Sequence, residues 1–228
     1  VWEMSKLTEA TAVLGKNERK TRSDKGADES LVKTQRMAML SRTTGETAVT
    51  VSLNLDGSGN ADVQTGLGFM DHMLTLLAAH SFMDLHVRAH GDLAVDSHHT
   101  VEDIGIVLGQ SLKEAVGDKK GIHRYGNSFI PMDETLAQVC LDFSGRPFFV
   151  FEAEIPKVRL GNYDTEMTEE FFRALAMNCG LTLHIRVLYG SNVHHLIEAI
   201  FKAFARALTE ATAIDPRVKG VMSSKGVL

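Results

Sequence analysis

Apolar and polar positions follow two periodicities along this chain, and the two alternate in the same order twice. Met37 to Arg42, Thr47 to Leu55 and Asn60 to Thr65 alternate with the period of half-buried strands, broken by turns at Thr44-Gly45 and at Asp56-Gly57-Ser58-Gly59. These three strands read as an antiparallel meander. Met70, Met73, Leu74 and Leu77 then recur at helical spacing within Phe69 to His80, Met83 to His90 is again a strand, and a helix opens at His98 and ends near Gly117. The order repeats with strands Ile122 to Ile130 and Thr135 to Phe143 around a Pro131 turn, a strand Pro147 to Glu154 and a polar loop at Gly161 to Asp164. It closes with a helix Met167 to Asn178, a strand Leu181 to Leu188 and a helix from Asn192 to Ala211. The pattern predicts an α+β fold made of an internally duplicated unit of roughly 90 residues, each copy an antiparallel sheet with helices packed on one face. The halves fall at residues 36–118 and 119–228, together one compact catalytic domain. Val1 to Gln35 is polar and rich in both charges, and reads as a disordered tail.

The duplication extends to chemistry. HHTVED (His98–Asp103) and HHLIEA (His194–Ala199) each place two histidines ahead of a glutamate, at the start of a helix. The first histidine and the glutamate, at i and i+4, share a helix face and can chelate one metal; the adjacent histidine points roughly 100° away and must serve a different partner. A histidine at such a position is ordinarily a cap or a surface residue, but its recurrence at matched positions argues for ligation. His72 and Glu170 lie fourteen residues upstream of His86 and His184, in the strands before each motif, and occupy equivalent helix starts. Symmetry then gives two ligand sets, His194, Glu198, His99 and His72 in one, and His98, Glu102, His195 and Glu170 in the other. Mixed imidazole and carboxylate donors with open positions suit manganese, iron or zinc, with octahedral Mn2+ preferred. Spacing alone leaves open whether the sets close within one chain or between chains.

Composition narrows the class. A net charge of −5 gives no reason to expect nucleic acid or an anionic membrane as partner. Cys140 and Cys179 lie in apolar stretches, as buried thiols of a reducing compartment do, and no run is long enough to span a membrane, so a soluble, cytoplasmic protein is expected.

DHML at Asp71, DSHHTVEDIG at Asp96, GIHRYG at Gly121, DFSGRP at Asp142, TLHIR at Thr182 and HHLIEAIFKAFARAL at His194 closely resemble the imidazoleglycerol-phosphate dehydratase family. The resemblance runs from Arg36 to Leu228. It implies a carbon-oxygen lyase of histidine biosynthesis that converts imidazole glycerol phosphate to imidazole acetol phosphate. Two manganese ions would bind the substrate ring as imidazolate. The implied assembly is a homo-oligomer of 24 copies built from trimers, with active sites between subunits. The family's ligands map onto the two sets above, except that many members carry histidine where this chain has Glu170. Glu46 matches the family's substrate-contacting glutamate and is the candidate acid/base, with Glu198 a candidate for proton transfer as well as ligation. His72 also falls among the substrate-contacting positions. Arg124, Arg146, Ser224 and Lys225 match phosphate contacts, and Lys202, whose counterpart in the first half is Ile106, puts the phosphate on the second motif's side. A manganese-storing assembly and a zinc hydrolase are the rival readings. The basic residues speak against the first, and the two motif glutamates, both spaced to ligate, against the second.

Overall fold

A computed structural model describes residues 36–228, so the expected N-terminal tail lies outside the described residues. The first half comprises β1 (Met37–Thr43), β2 (Thr47–Asn54), β3 (Ala61–Gln64), α1 (Gly68–Ser81), β4 (Asp84–Gly91) and α2 (His98–Val116). The second comprises β5 (Tyr125–Met132), β6 (Thr135–Asp142), β7 (Phe148–Glu152), β8 (Arg159–Leu160), β9 (Tyr163–Asp164), α3 (Met167–Cys179), β10 (Thr182–Tyr189) and α4 (Val193–Thr212). The four-stranded sheets have the orders β1-β2-β4-β3 and β5-β6-β10-β7, which correspond strand by strand. The duplicated α+β unit is therefore present, and the β8–β9 hairpin, found where a loop was expected, is an insertion peculiar to the second half.

Two local expectations are corrected. β3 does not continue a meander from β2. The inner edge of β2 is taken by β4, whose buried Leu85, Val87 and Ala89 stand opposite Leu53, Val51 and Val49. β3 buries little of its own and is joined to β4 through α1, and such a crossover returns the chain parallel. β7 and β10 pair in parallel for the same reason. Nor does Pro131 make a turn. It sits within β5, an edge strand whose outer side tolerates a missing N–H, and the chain reverses at Asp133-Glu134, with Asp133 at φ 46°. β5 also begins three residues later than expected, because Ile122 bridges to Ile214 in the C-terminal segment.

Helix α2 lies on β1 and β2, and α4 on β5 and β6; α2 meets α3, and α1 meets α4. The duplication exchanges these two helix pairs. Both sheets thus turn their apolar faces to the helices and leave residues such as Met39 and Phe129 on the outside. Phe171, Phe172, Phe201 and Phe204 form a buried aromatic cluster between α3 and α4, with ring centroids 4.8–5.3 Å apart, each such pair adding about 1 kcal/mol beyond its buried area. The cysteines are free, and burial pushes the Cys179 thiol up to about 12.

The α2–α3 contact depends on two glycines. A Cβ at Gly105 would lie 2.7 Å from the Phe171 carbonyl oxygen, and one at Gly109 would lie 2.5 Å from that of Leu175. Alanine at Gly109 gains about 1 kcal/mol of helix propensity. A clash with backbone outweighs that gain, because neither helix can yield without moving its core face. Gly109→Ala is expected to destabilise by about 2 kcal/mol, read as a fall of roughly 5 °C in the unfolding midpoint. An unchanged midpoint would show that the two helices have room to separate.

Candidate metal centre and active site

Helix α4 is capped by Asn192, whose side chain accepts the N–H groups of His194 and His195 at 2.9 and 3.3 Å. With the first turn held, His194 and Glu198 share a face, and His194 Nε2 lies 3.0 Å from Glu198 Oε2. Helix α1 brings His72 Nε2 to 3.5 Å from the same oxygen. The first turn of α1 is anchored in turn, since the Asp71 carboxylate accepts both the N–H and the hydroxyl of Thr65, at 2.8 and 2.6 Å. Phe69 packs at right angles to the His194 ring, with centroids 5.2 Å apart. One donor atom from each of His72, His194 and Glu198 lies within 4.8 Å of the others, the one such cluster among the described residues. Two imidazoles and a carboxylate on rigid helices fit a divalent first-row cation.

Glu198 is the hub of this cluster and is only 7% exposed. Burial pushes its carboxyl up, but the Lys202 ammonium 2.6 Å from Oε1, together with His194 and His72, more than offsets this and holds it below the usual range. Lys202 therefore sits on the His72–His194–Glu198 cluster, with Met132 Sδ as its other neighbour.

The second set is its counterpart on the α2–α3 pair, but looser. His98 Nε2 is 4.0 Å from Glu102 Oε2, and His98 and Glu170 line one cavity, with Glu170 drawn to Arg173 Nε at 3.6 Å. The second histidine of each motif is not brought to either set within the chain. His99 Nδ1 is 3.0 Å from Asp92 Oδ2, and His195 Nδ1 is 2.8 Å from Glu134 Oε2. These hydrogen bonds are the first cause of the raised pKa of each imidazole. The Glu134 carboxyl is held far below its ordinary value by His195 and by the N–H groups of Asn192 and Ser191.

Arg124, Arg146, Ser224 and Lys225 line one cleft of about 320 Å³, together with Tyr125, Ser223 and the C-terminal Leu228. Arg124 is buried and already engaged. Its Nε and Nη2 donate to the two oxygens of Asp142 at 2.6 and 2.9 Å, and Nη1 donates to the Met222 carbonyl. The other half repeats this fork, with Arg36 donating to Asp56 at 3.0 and 2.6 Å, so part of the role of Arg124 is to lock the start of its sheet. Glu46 stands at the opening of β2, with a carboxylate oxygen 3.7 Å from His99 Nδ1 and its side chain 58% exposed.

Sequence reasoning missed Asp92, Glu134 and the Arg–Asp forks. The echo of Glu46-Thr47 by Glu134-Thr135 carried the signal for Glu134, and the repeated Asp56 and Asp142 carried it for the forks. Asp92, in a loop without counterpart, left no such trace.

The profile of the imidazoleglycerol-phosphate dehydratase family matches residues 65–208. The chain is 61% identical over 189 residues to the imidazoleglycerol-phosphate dehydratase of Acetivibrio thermocellus, an alignment covering 83% of this chain and 97% of that one. It is 60% identical over 189 residues to the protein of the same name from Shouchella clausii, with the same coverage. Among solved structures, the Staphylococcus aureus imidazoleglycerol-phosphate dehydratase superimposes with a TM-score of 0.71 at 47% identity, covering 78% of this chain and 99% of that one. The Pyrococcus furiosus structure gives 0.72 at 36% identity, covering 83% and 100%. On sequence and fold alike, the chain belongs to the imidazoleglycerol-phosphate dehydratase family of hydro-lyases.

Proposed function

We propose that the chain dehydrates imidazole glycerol phosphate to imidazole acetol phosphate in histidine biosynthesis, at sites that hold two manganese ions and are shared between copies of the chain. The observation that carries this reading is the geometry of the repeated motif. His72, His194 and Glu198 converge, while the neighbouring His195 is held elsewhere by Glu134. A cluster of three donors leaves positions open, and His99 and His195 are the donors that a second copy can offer. His72, His194, Glu198 and a partner's histidine would hold one ion, and His98, Glu102, Glu170 and another such histidine the second. The two cations would favour the anionic form of the substrate ring and ease departure of the adjacent hydroxyl.

The chain's own residues supply the rest. Glu46 is assigned to the proton, because its carboxylate has one long contact and ample exposure, unlike the fully engaged Glu134. Arg146, Lys225, Ser224 and the uncommitted N–H groups of Arg124 are assigned to the phosphate, whose oxygens suit guanidinium forks and charge-assisted donors. Lys202, held on Glu198, would meet the phosphate only across an interface. The same reading makes the enzyme a homo-oligomer of 24 copies in the cytoplasm; no helix among the described residues is long and apolar enough to cross a membrane.

The test is to strip metal with a chelator, restore Mn2+, and follow both dehydration and particle mass. Turnover and a large particle are expected to return together. Metal uptake and assembly without product would instead favour a storage protein.

A further inference from the structure

The duplication makes Glu46 the counterpart of Glu134, each just before the second strand of its sheet, and His99 the counterpart of His195. In the second half the contact between these counterparts is closed. Glu134 Oε2 accepts the Nδ1–H of His195 at 2.8 Å, while Oε1 accepts the N–H groups of Asn192 at 2.7 Å and Ser191 at 3.1 Å. In the first half the same contact is longer, 3.7 Å, and Asp92 makes the close one, its two oxygens 3.0 and 3.2 Å from His99 Nδ1. The source of Asp92 is visible in the chain. Six residues separate Gly91 from His98, whereas three separate Gly190 from His194, and Asp92 lies in the longer loop.

An imidazole that donates from Nδ1 to a carboxylate carries its lone pair on Nε2 and has its ring orientation fixed. We infer that Glu134 and Asp92 are positioning residues that hold His195 and His99 with Nε2 presented as a metal ligand to another copy, and that the longer first loop thereby leaves Glu46 free to move a proton. This rests on the shared-metal reading above. Asp133 Oδ2 lies 3.7 Å from His195 Nε2, beyond hydrogen-bond distance, and its side chain is 74% exposed and able to swing aside, so Nδ1 is the anchored nitrogen.

Glu134→Gln separates positioning from folding. The glutamine oxygen can still accept the N–H groups of Ser191 and Asn192, while its amide group can only donate toward His195, which drives the imidazole proton to Nε2. In the full-length protein, Mn2+ affinity measured by chelator competition is expected to fall roughly 10–100-fold for one class of sites, with the thermal midpoint of the metal-free protein unchanged. Asp92→Asn is expected to do the same to the other class. Glu46→Gln is expected to leave both affinities within about twofold, because Asp92 already serves His99. Unchanged affinity in Glu134→Gln overturns the inference. So does a weakening in Glu46→Gln as large as that in Asp92→Asn, or a loss of affinity that follows a lowered metal-free midpoint in both positioning variants. Should the unaltered protein itself take up no Mn2+, the shared-metal reading fails first, and that outcome is distinguishable from all of these.

Discussion

Glu198→Gln is expected to remove Mn2+ from the α1–α4 cluster and to lower turnover by on the order of a thousandfold. The carboxylate is the one anionic donor of its set, 3.0 Å from His194 Nε2 and 3.5 Å from His72 Nε2, and glutamine keeps its volume while removing its charge. The same change removes the counter-charge from Lys202, whose side chain is 18% exposed and whose ammonium lies 2.6 Å from Glu198 Oε1. Breaking a pair this enclosed costs about 3 kcal/mol, lessened by the water the ammonium still reaches. Loss of activity alone would not distinguish lost metal from unfolding, so the informative companion is Glu198→Gln with Lys202→Met. The double variant is expected to recover most of the thermal midpoint and none of the metal or turnover. A Glu198→Gln protein that retained both would remove this cluster from the mechanism.

Glu46→Gln is expected to lower kcat by roughly a hundredfold to ten thousandfold, with KM and bound manganese little changed. The expectation follows from how loosely Glu46 is tied. Its carboxylate has one contact, at 3.7 Å, whereas its counterpart Glu134 is bound on both oxygens. An amide cannot accept a proton from carbon, yet it fits the same space, so binding should survive where chemistry does not. A rate within about tenfold of the original would move the proton-transfer role to another group, Glu198 first.

Much of this was legible before any coordinates. The period-two and period-3.6 runs placed both motif helices, and the recurrence of the HHxxE pattern, with the matched spacing of His72 to His86 and of Glu170 to His184, grouped His72, His194 and Glu198, which α1 and α4 do bring together. What escaped depends on distance along the chain. Alternation in Ala61–Gln64 says that a strand exists, but its parallel place beside β4 is decided by a helix in between. Glu134 and His195 are sixty-one positions apart, and only the fold shows that one carboxylate caps a loop and turns a ring at once. Lys202 was readable as a neighbour of Glu198 one helical turn on, yet whether it faces phosphate or metal ligand depends on the burial that the packed α1 imposes.

The crossed helix pairing, α1 on α4 and α2 on α3, also bears on how such a chain could arise. Each half presents two helices with a face packed on the other half, as where Gly105 and Gly109 of α2 lie against the backbone of Phe171 and Leu175 in α3. A half-length ancestor would have left those faces bare and could have persisted only by pairing with a second copy of itself. Fusing two such copies would replace an encounter that weakens on dilution with one fixed by a short connection. The two copies now differ, the first by the longer loop that holds Asp92 and the second by Lys202 where the first has Ile106, so the pair forms two unlike halves of a single fold.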